Sequence, residues 1–177
     1  MRIVNIGIDD LSSGLKSVHD YWNGLRNGRM APTWAEFELV RIPSSLLPTT
    51  LVIDIHEPLE KSVFRYWGSK MTEIHGEDMT SKHPHDLSPP GFGDQVLADH
   101  RKIVEKKIPM AWHYSFLAAG GYMHSHSVIR LPLSADGANV THIVVAIDYS
   151  REALDLIRQG REKYAEAVGT APERPDQ

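Results

Sequence analysis

The chain contains no cysteine. Disulfide staples, thiolate metal sites and a cysteine nucleophile are therefore excluded, and nothing argues for an oxidising compartment, which points to the cytoplasm. Long apolar runs are missing as well. The longest aliphatic stretch, Ile143 to Ile147, falls far short of the roughly 20 residues that a membrane-crossing helix needs. The opening MRIVNIGIDD carries acids where a secretion signal needs a basic flank and a long apolar stretch, so a soluble, unprocessed protein with no membrane association is expected. Positive charge is not in excess: 19 Lys and Arg stand against 23 Asp and Glu, a net charge of −4, which gives no overall reason to hold nucleic acid. The one basic cluster, Arg101, Lys102, Lys106 and Lys107, is interrupted by Glu105 and reads as a solvated helix face. Catalytic motifs are scarce too. There is no H-E-x-x-H, P-loop or G-x-S-x-G, and Gly91-Phe92-Gly93 lacks a third glycine and a preceding strand, so it reads as loop. No catalytic residue is assigned.

What is present is enough for one sizeable core: 177 residues, 41% of them hydrophobic. Leu15, Val18, Trp22 and Leu25 recur at three- and four-residue steps between Ser12-Ser13 and Asn27-Gly28, which predicts an amphipathic helix capped at both ends. Pro32, Pro43 and Pro48 forbid a long helix in the next stretch, leaving room for a short one over Trp34 to Val40. Leu51 to His56 and Val63 to Trp67 read as neighbouring strands, and Ser69 to His75 as a short helix closed by Gly76. Residues 80–93, rich in Pro and Gly, read as loop, and Asp94 to Lys107 as a longer helix. Met110 to Leu117, Tyr122 to Leu133 and Val140 to Tyr149 are three strands, the last two joined across Asp136-Gly137. Ser150 caps a final helix running to about Val168. Three consecutive strands with short connections, after helices, predict an α+β domain with an antiparallel sheet. The expected division is an N-terminal segment and helix at 1–29, a core domain at 30–149, a C-terminal helix at 150–168 and a loose tail at 169–177.

The ordered pieces carry a resemblance. Tyr21-Trp22 is followed by Leu25-Arg26, Gly28-Arg29 and Pro32; then come Ile42-Pro43 with Leu46-Leu47-Pro48, and Phe64-Arg65 with Gly68. Gly76 with Met79-Thr80, and Leu131-Pro132-Leu133-Ser134 with Asp136-Gly137, complete the order. Across residues 15–149 the chain resembles PAS domains, in particular the small bacterial stand-alone ones in which a Tyr-Trp helix precedes the domain. Trp67 stands where an aliphatic residue is expected, and Ser81 where a glycine is. The resemblance implies a five-stranded antiparallel sheet with helices on one face, flanked by the N-terminal and C-terminal helices and enclosing a cavity for a ligand or cofactor. It also implies signalling, with output through a partner protein or a dimer because only one helix and a tail follow Tyr149.

Several residues are candidates for that cavity. His100 falls between Leu97 and Ile103 on the apolar face of its helix. Haem-binding PAS sensors carry an axial His on the similar helix, yet a buried, hydrogen-bonded His is the preferred reading, and no cofactor is named. His124 and His126 alternate along a strand and share a face with Tyr122, Val128 and Arg130. They and the His83/His85 pair each lack a third ligand, so no metal site is assigned and ordinary polar surface is the expectation for the His pairs. Trp112, Tyr114 and Phe116 occupy one strand face, either as core beneath the long helix or as cavity wall. Trp67, His100, Trp112, Tyr114, Phe116 and His126 are thus the expected ligand-binding residues. Leu15, Val18, Tyr21, Trp22 and Leu25 are the expected interface of a homodimer, since a lone helix with one apolar stripe must bury it somewhere. The leading reading is a sensory module that binds a small molecule and a signalling partner. The alternatives are a small α+β enzyme with a pocket His or acid as general base, and a ligand-free adaptor whose cavity is closed by Trp67, Trp112 and Phe116.

Overall fold

Ser12 starts the first helix. Its hydroxyl accepts from the Leu15 amide at 3.4 Å, and Asn27, in the left-handed region at φ 47°, ends α1 over Ser13–Arg26. The Ser12 hydroxyl also donates to Asp148 at 2.5 Å, tying the start of α1 to the sheet. The computed structural model describes residues 2–88, 90–117, 123–150, 153–155 and 157–159. Among them six strands form one antiparallel sheet: β1 Arg2–Ile6, β2 Thr50–Asp54, β3 Val63–Trp67, β4 Met110–Leu117, β5 Met123–Leu133 and β6 His142–Tyr149. Their order is β1-β4-β5-β6-β2-β3. The helices α2, Ser69–His75, and α3, Phe92–Lys106, follow β3.

Strand alternation gives this sheet two apolar faces. On one, Ile129, Leu131 and Leu133 of β5 and Val144 and Ala146 of β6 pack with Leu15, Val18 and Trp22 of α1. On the other, Val128 of β5 and Ile143, Val145 and Ile147 of β6 pack with Met71 of α2 and Ile103 of α3. A strand buried on both sides reads as a continuous apolar run, which is why Ile143 to Ile147 is the longest in the chain.

The structure corrects three expectations. The sheet has six strands, because β1 pairs antiparallel with β4 from Arg2↔Ser115 to Ile6↔Ala111. As an outermost strand with three exposed positions, β1 lacks the continuous apolar run of β6. As expected, α2 and α3 lie on one face of the sheet, and the N-terminal helix α1 packs on the other. No helix forms over Trp34 to Val40; residues 34–36 make a turn and Leu39–Arg41 a single 3-10 turn. Finally, Gly93 lies inside α3 and not in a loop. A Cβ there would stand 2.1 Å from the Pro84 carbonyl oxygen, so glycine lets the helix press on that backbone.

The apolar stripe of α1 finds its partner within the chain. Leu15, Val18 and Trp22 are at most 1% exposed, and the Trp22 indole N–H donates to the Pro132 carbonyl at 2.7 Å. Tyr21 and Leu25 are half-buried at the margin of the same cluster, with the Tyr21 hydroxyl accepting from the Glu38 amide at 2.9 Å. Burial of the stripe, which was the reason to expect a second chain there, is thus achieved on the chain's own sheet. After β6, the Ser150 hydroxyl accepts from the Ala153 amide at 3.1 Å, and residues 153–155 and 157–159 are helical. The expected continuation to Val168 and the tail at 169–177 lie outside the described residues. Among the described residues, no helix is long and apolar enough to cross a membrane.

Candidate functional site

The face of the sheet under α3 does not close completely. Three cross-strand rows run over β4, β5 and β6: Tyr114, His126 and Tyr149; Trp112, Val128 and Ile147; and Met110, Arg130 and Val145. The first row is aromatic throughout. Tyr114 stacks on His126 with centroids 5.2 Å apart and planes 9° from parallel, and His126 meets Tyr149 at 4.5 Å and 35°. Between these rows and the helices lies a cavity of about 530 Å³. Leu51, Phe64 and Trp67 close its β2–β3 end, Met71, Ile74 and His75 of α2 and Leu87 and Ser88 of the connector its side. Phe92, Gln95, Val96 and His100 of α3 form the roof, and Ile157, beyond β6, completes the wall. The volume falls in the range of small-molecule sites, which are mostly apolar with a few polar groups.

The polar groups are concentrated around α3 and β5. Asp99, fully buried one residue before His100, accepts from the Tyr114 hydroxyl at 2.5 Å, from Lys102 at 3.0 Å and from Gln95 at 3.3 Å. Arg130, 4% exposed, reaches the same carboxylate only through Nη2 at 3.7 Å, an ion-pair distance beyond a good hydrogen bond. Its guanidinium also lies over the Trp112 ring at 4.8 Å and the Tyr114 ring at 5.9 Å. Arg130 Nε and Nη1, His100 Nδ1 and Trp67 Nε1 are buried with no hydrogen-bond partner among the described residues. Burial, and then the neighbouring Arg130 charge, hold the His100 imidazole well below its ordinary pKa, so it is neutral at physiological pH. Burial above all pushes the Tyr114 hydroxyl up to about 12, with Asp99 raising it and Arg130 lowering it. The Tyr149 hydroxyl is pushed up by burial as well.

Trp67, His100, Tyr114 and His126 thus come together on one cavity. Trp112 is buried in the same layer beneath Arg130 without lining it. The side chains of Phe116 and His124, and all of Tyr122, lie outside the described residues. His126 is half-buried on the inner face and lines the cavity, in place of the polar surface expected for it. His83 and His85 stack on each other at 5.1 Å, with His83 Nδ1 3.0 Å from the Ser62 carbonyl. Among the described residues, no three His, Asp or Glu side chains group as a metal ligand set. Sequence reasoning missed Asp99 and the part played by Arg130. The available signal was alternation: Arg130 is in phase with His126 and Val128, and a charged residue in phase with an inward-facing Val is a buried charge.

An antiparallel sheet with α2 and α3 over one face and a mainly apolar cavity beneath them defines a small sensory or binding domain. The chain matches the model of a PAS domain family over residues 11–146 and belongs to the PAS domain family. PAS domains are sensory and signalling modules. No curated protein matches the sequence. Among solved structures it is similar to a fungal LOV domain photoreceptor, at 16% identity over 78% of this chain and 94% of that one, with a TM-score of 0.42. It is also similar to a Rhodobacter sphaeroides LOV protein, at 10% identity over 71% and 76% of the two chains and a TM-score of 0.42. An RNA-binding light-oxygen-voltage receptor matches at 12% identity over 72% of this chain and 39% of that one, again with a TM-score of 0.42.

Proposed function

We propose that this PAS domain senses a small, mainly apolar molecule held in the cavity between α3 and the sheet, and passes the state of that cavity to a signalling partner. The observation that carries the reading is the cavity itself, about 530 Å³ in a core that elsewhere leaves most apolar side chains buried. Native interiors tolerate few voids larger than a water molecule, so an apolar space of this size is a binding site in the making. Output is supported by Ile157. It lines the cavity next to Tyr149, so an occupant touches the sheet and the helical segment after β6 at once. Occupancy then stabilises one placement of that segment by the contacts the occupant makes there.

Native mass spectrometry with an absorption spectrum, on protein purified from its own host, tests the first half. A bound organic mass lost on denaturation is expected, and a protein at its bare mass that also takes up no apolar probe refutes the reading. Hydrogen exchange tests the second half: amides at 153–159 should exchange more slowly in the loaded protein. Equal exchange in both states would separate binding from output.

A further inference from the structure

The cavity is apolar almost everywhere, yet it has a cation in its wall. Arg130 is 4% exposed, and two of its nitrogens, Nε and Nη1, have no partner among the described residues. Burying a guanidinium with its donors unmet costs several kcal/mol unless something completes them. Asp99 does this only in part. Its contact to Arg130 is a single 3.7 Å approach to Oδ2, the oxygen already held by Tyr114 at 2.5 Å, while its other oxygen takes Lys102 and Gln95. Two cations therefore share one carboxylate, and the local charge is positive by one. The Trp112 and Tyr114 rings beneath the guanidinium help to hold it in place.

Resting on the sensory reading above, we infer that the cavity selects an apolar molecule bearing one carboxylate, with the carboxylate paired to the incompletely partnered Arg130 guanidinium in the cavity wall. An Arg fork matches a carboxylate with two parallel N–H···O bonds, and a charge-assisted pair in a dry site is stronger than a neutral one. A dianion such as a phosphate fits less well, because the Asp99 carboxylate stands beside the same cation. The rest of the molecule lies on the Tyr114, His126 and Tyr149 rings and against the aliphatic wall.

A displacement assay separates this inference from the reading beneath it. N-phenyl-1-naphthylamine, neutral and apolar, first reports whether the cavity takes up a guest. Decanoate and 1-decanol then compete for it, as do 1-naphthaleneacetate and 1-naphthaleneethanol. Each acid should displace the dye about tenfold or more better than its alcohol, the worth of a hydrogen bond to a charged group. Arg130→Lys, which keeps the charge and removes the fork, should shrink the preference, and Arg130→Met should abolish it while dye uptake persists. The comparison within the unaltered protein needs no variant, so misfolding of Arg130→Met leaves the test intact. Dye uptake with acid and alcohol equal overturns the carboxylate inference alone. Exclusion of the dye and of all four competitors overturns the cavity reading, and this inference with it.

Discussion

Asp99→Asn tests the buried polar cluster most directly, because it preserves shape while removing the charge. Asn can still accept the Tyr114 hydroxyl at one oxygen, but its other terminus becomes a donor facing Lys102 and Gln95, and Arg130 loses its only counter-charge among the described residues. Breaking a fully buried pair costs about 3–5 kcal/mol, the upper limit here because the Arg130 contact is long. The Lys102 contribution is small, since that side chain is 47% exposed and its pairing is screened. An expected loss of about 2–4 kcal/mol remains, a large share of the stability of a domain this size. Tyr114→Phe should cost about 1.5–3 kcal/mol, the range for a hydrogen bond to a charged group. Because Asp99→Asn weakens, by removing the acceptor's charge, the bond that Tyr114→Phe deletes, the double variant should cost less than the sum by about 0.5 kcal/mol or more. Urea unfolding followed by tryptophan fluorescence reads all three, with Trp112 under the Arg130 guanidinium as a local reporter. An Asp99→Asn variant within about 0.5 kcal/mol of the parent, with strict additivity in the double, would refute the claim that these groups form one buried network.

Leu131→Asp and Ile143→Asp should each prevent folding, since both positions are 0% exposed in central strands and an unpaired carboxylate there costs on the order of the total stability; circular dichroism showing an unchanged melt would mean the strands are misplaced. Ser81 sits at φ 65°, a conformation that glycine adopts freely and a β-branched residue strongly resists, so Ser81→Val should lose about 1–2 kcal/mol while Ser81→Gly loses nothing; equal stability of the two variants in urea would contradict the backbone assignment. His100 makes stability fall on the acid side. Its folded pKa lies well below 6.5, so as pH drops through about 6.5 the unfolded chain takes up a proton that the native one refuses, with a slope reaching about 1.4 kcal/mol per pH unit. His142, depressed by burial although Asp54 opposes it, works in the same direction. His100→Gln should flatten the loss of stability between pH 7 and pH 5 relative to the parent, and parallel curves would show that the imidazole is not held neutral.

What was legible in the sequence was whatever is decided locally. The three- and four-residue steps of α1, bracketed by Ser12 and Asn27, fix a helix because caps and period act within one turn of each other. β3, α2 and β4 begin and end where proline, glycine and β-branched residues begin and end. Alternation placed His126, Val128 and Arg130 on one face, and the 97, 100, 103 spacing placed His100 among apolar residues, both from local geometry. Which of the two faces of β5 encloses a cavity was not legible, because both are apolar and the answer depends on where α1 and α3 land. Asp99 was invisible for a related reason. It neighbours His100 in a helix whose exposed side is charged, and only the approach of Tyr114 and Arg130 from strands far along the chain makes it a buried group. What covers α1 was not legible for the same reason: an amphipathic stripe says that a helix must be covered and does not say by what.

The two faces of the sheet therefore differ in kind, although one meander builds both. Against α1 the layer includes the small residues Ala111 and Ala146, and Trp22 is buried until its indole reaches the Pro132 carbonyl. Under α3 the strands present Trp112, Tyr114, His126 and Arg130, rings and a guanidinium that stack in rows but cannot interdigitate with a helix as aliphatic side chains do. α3 packs on this layer through Ile103 and bonds it from Asp99 to Tyr114, and the space left between helix and rows is the cavity. The two faces of the same strands thus hold a packed layer and a cavity-bearing one. Adjacent residues of β5, Ile129 turned to α1 and Arg130 turned to α3, belong one to each.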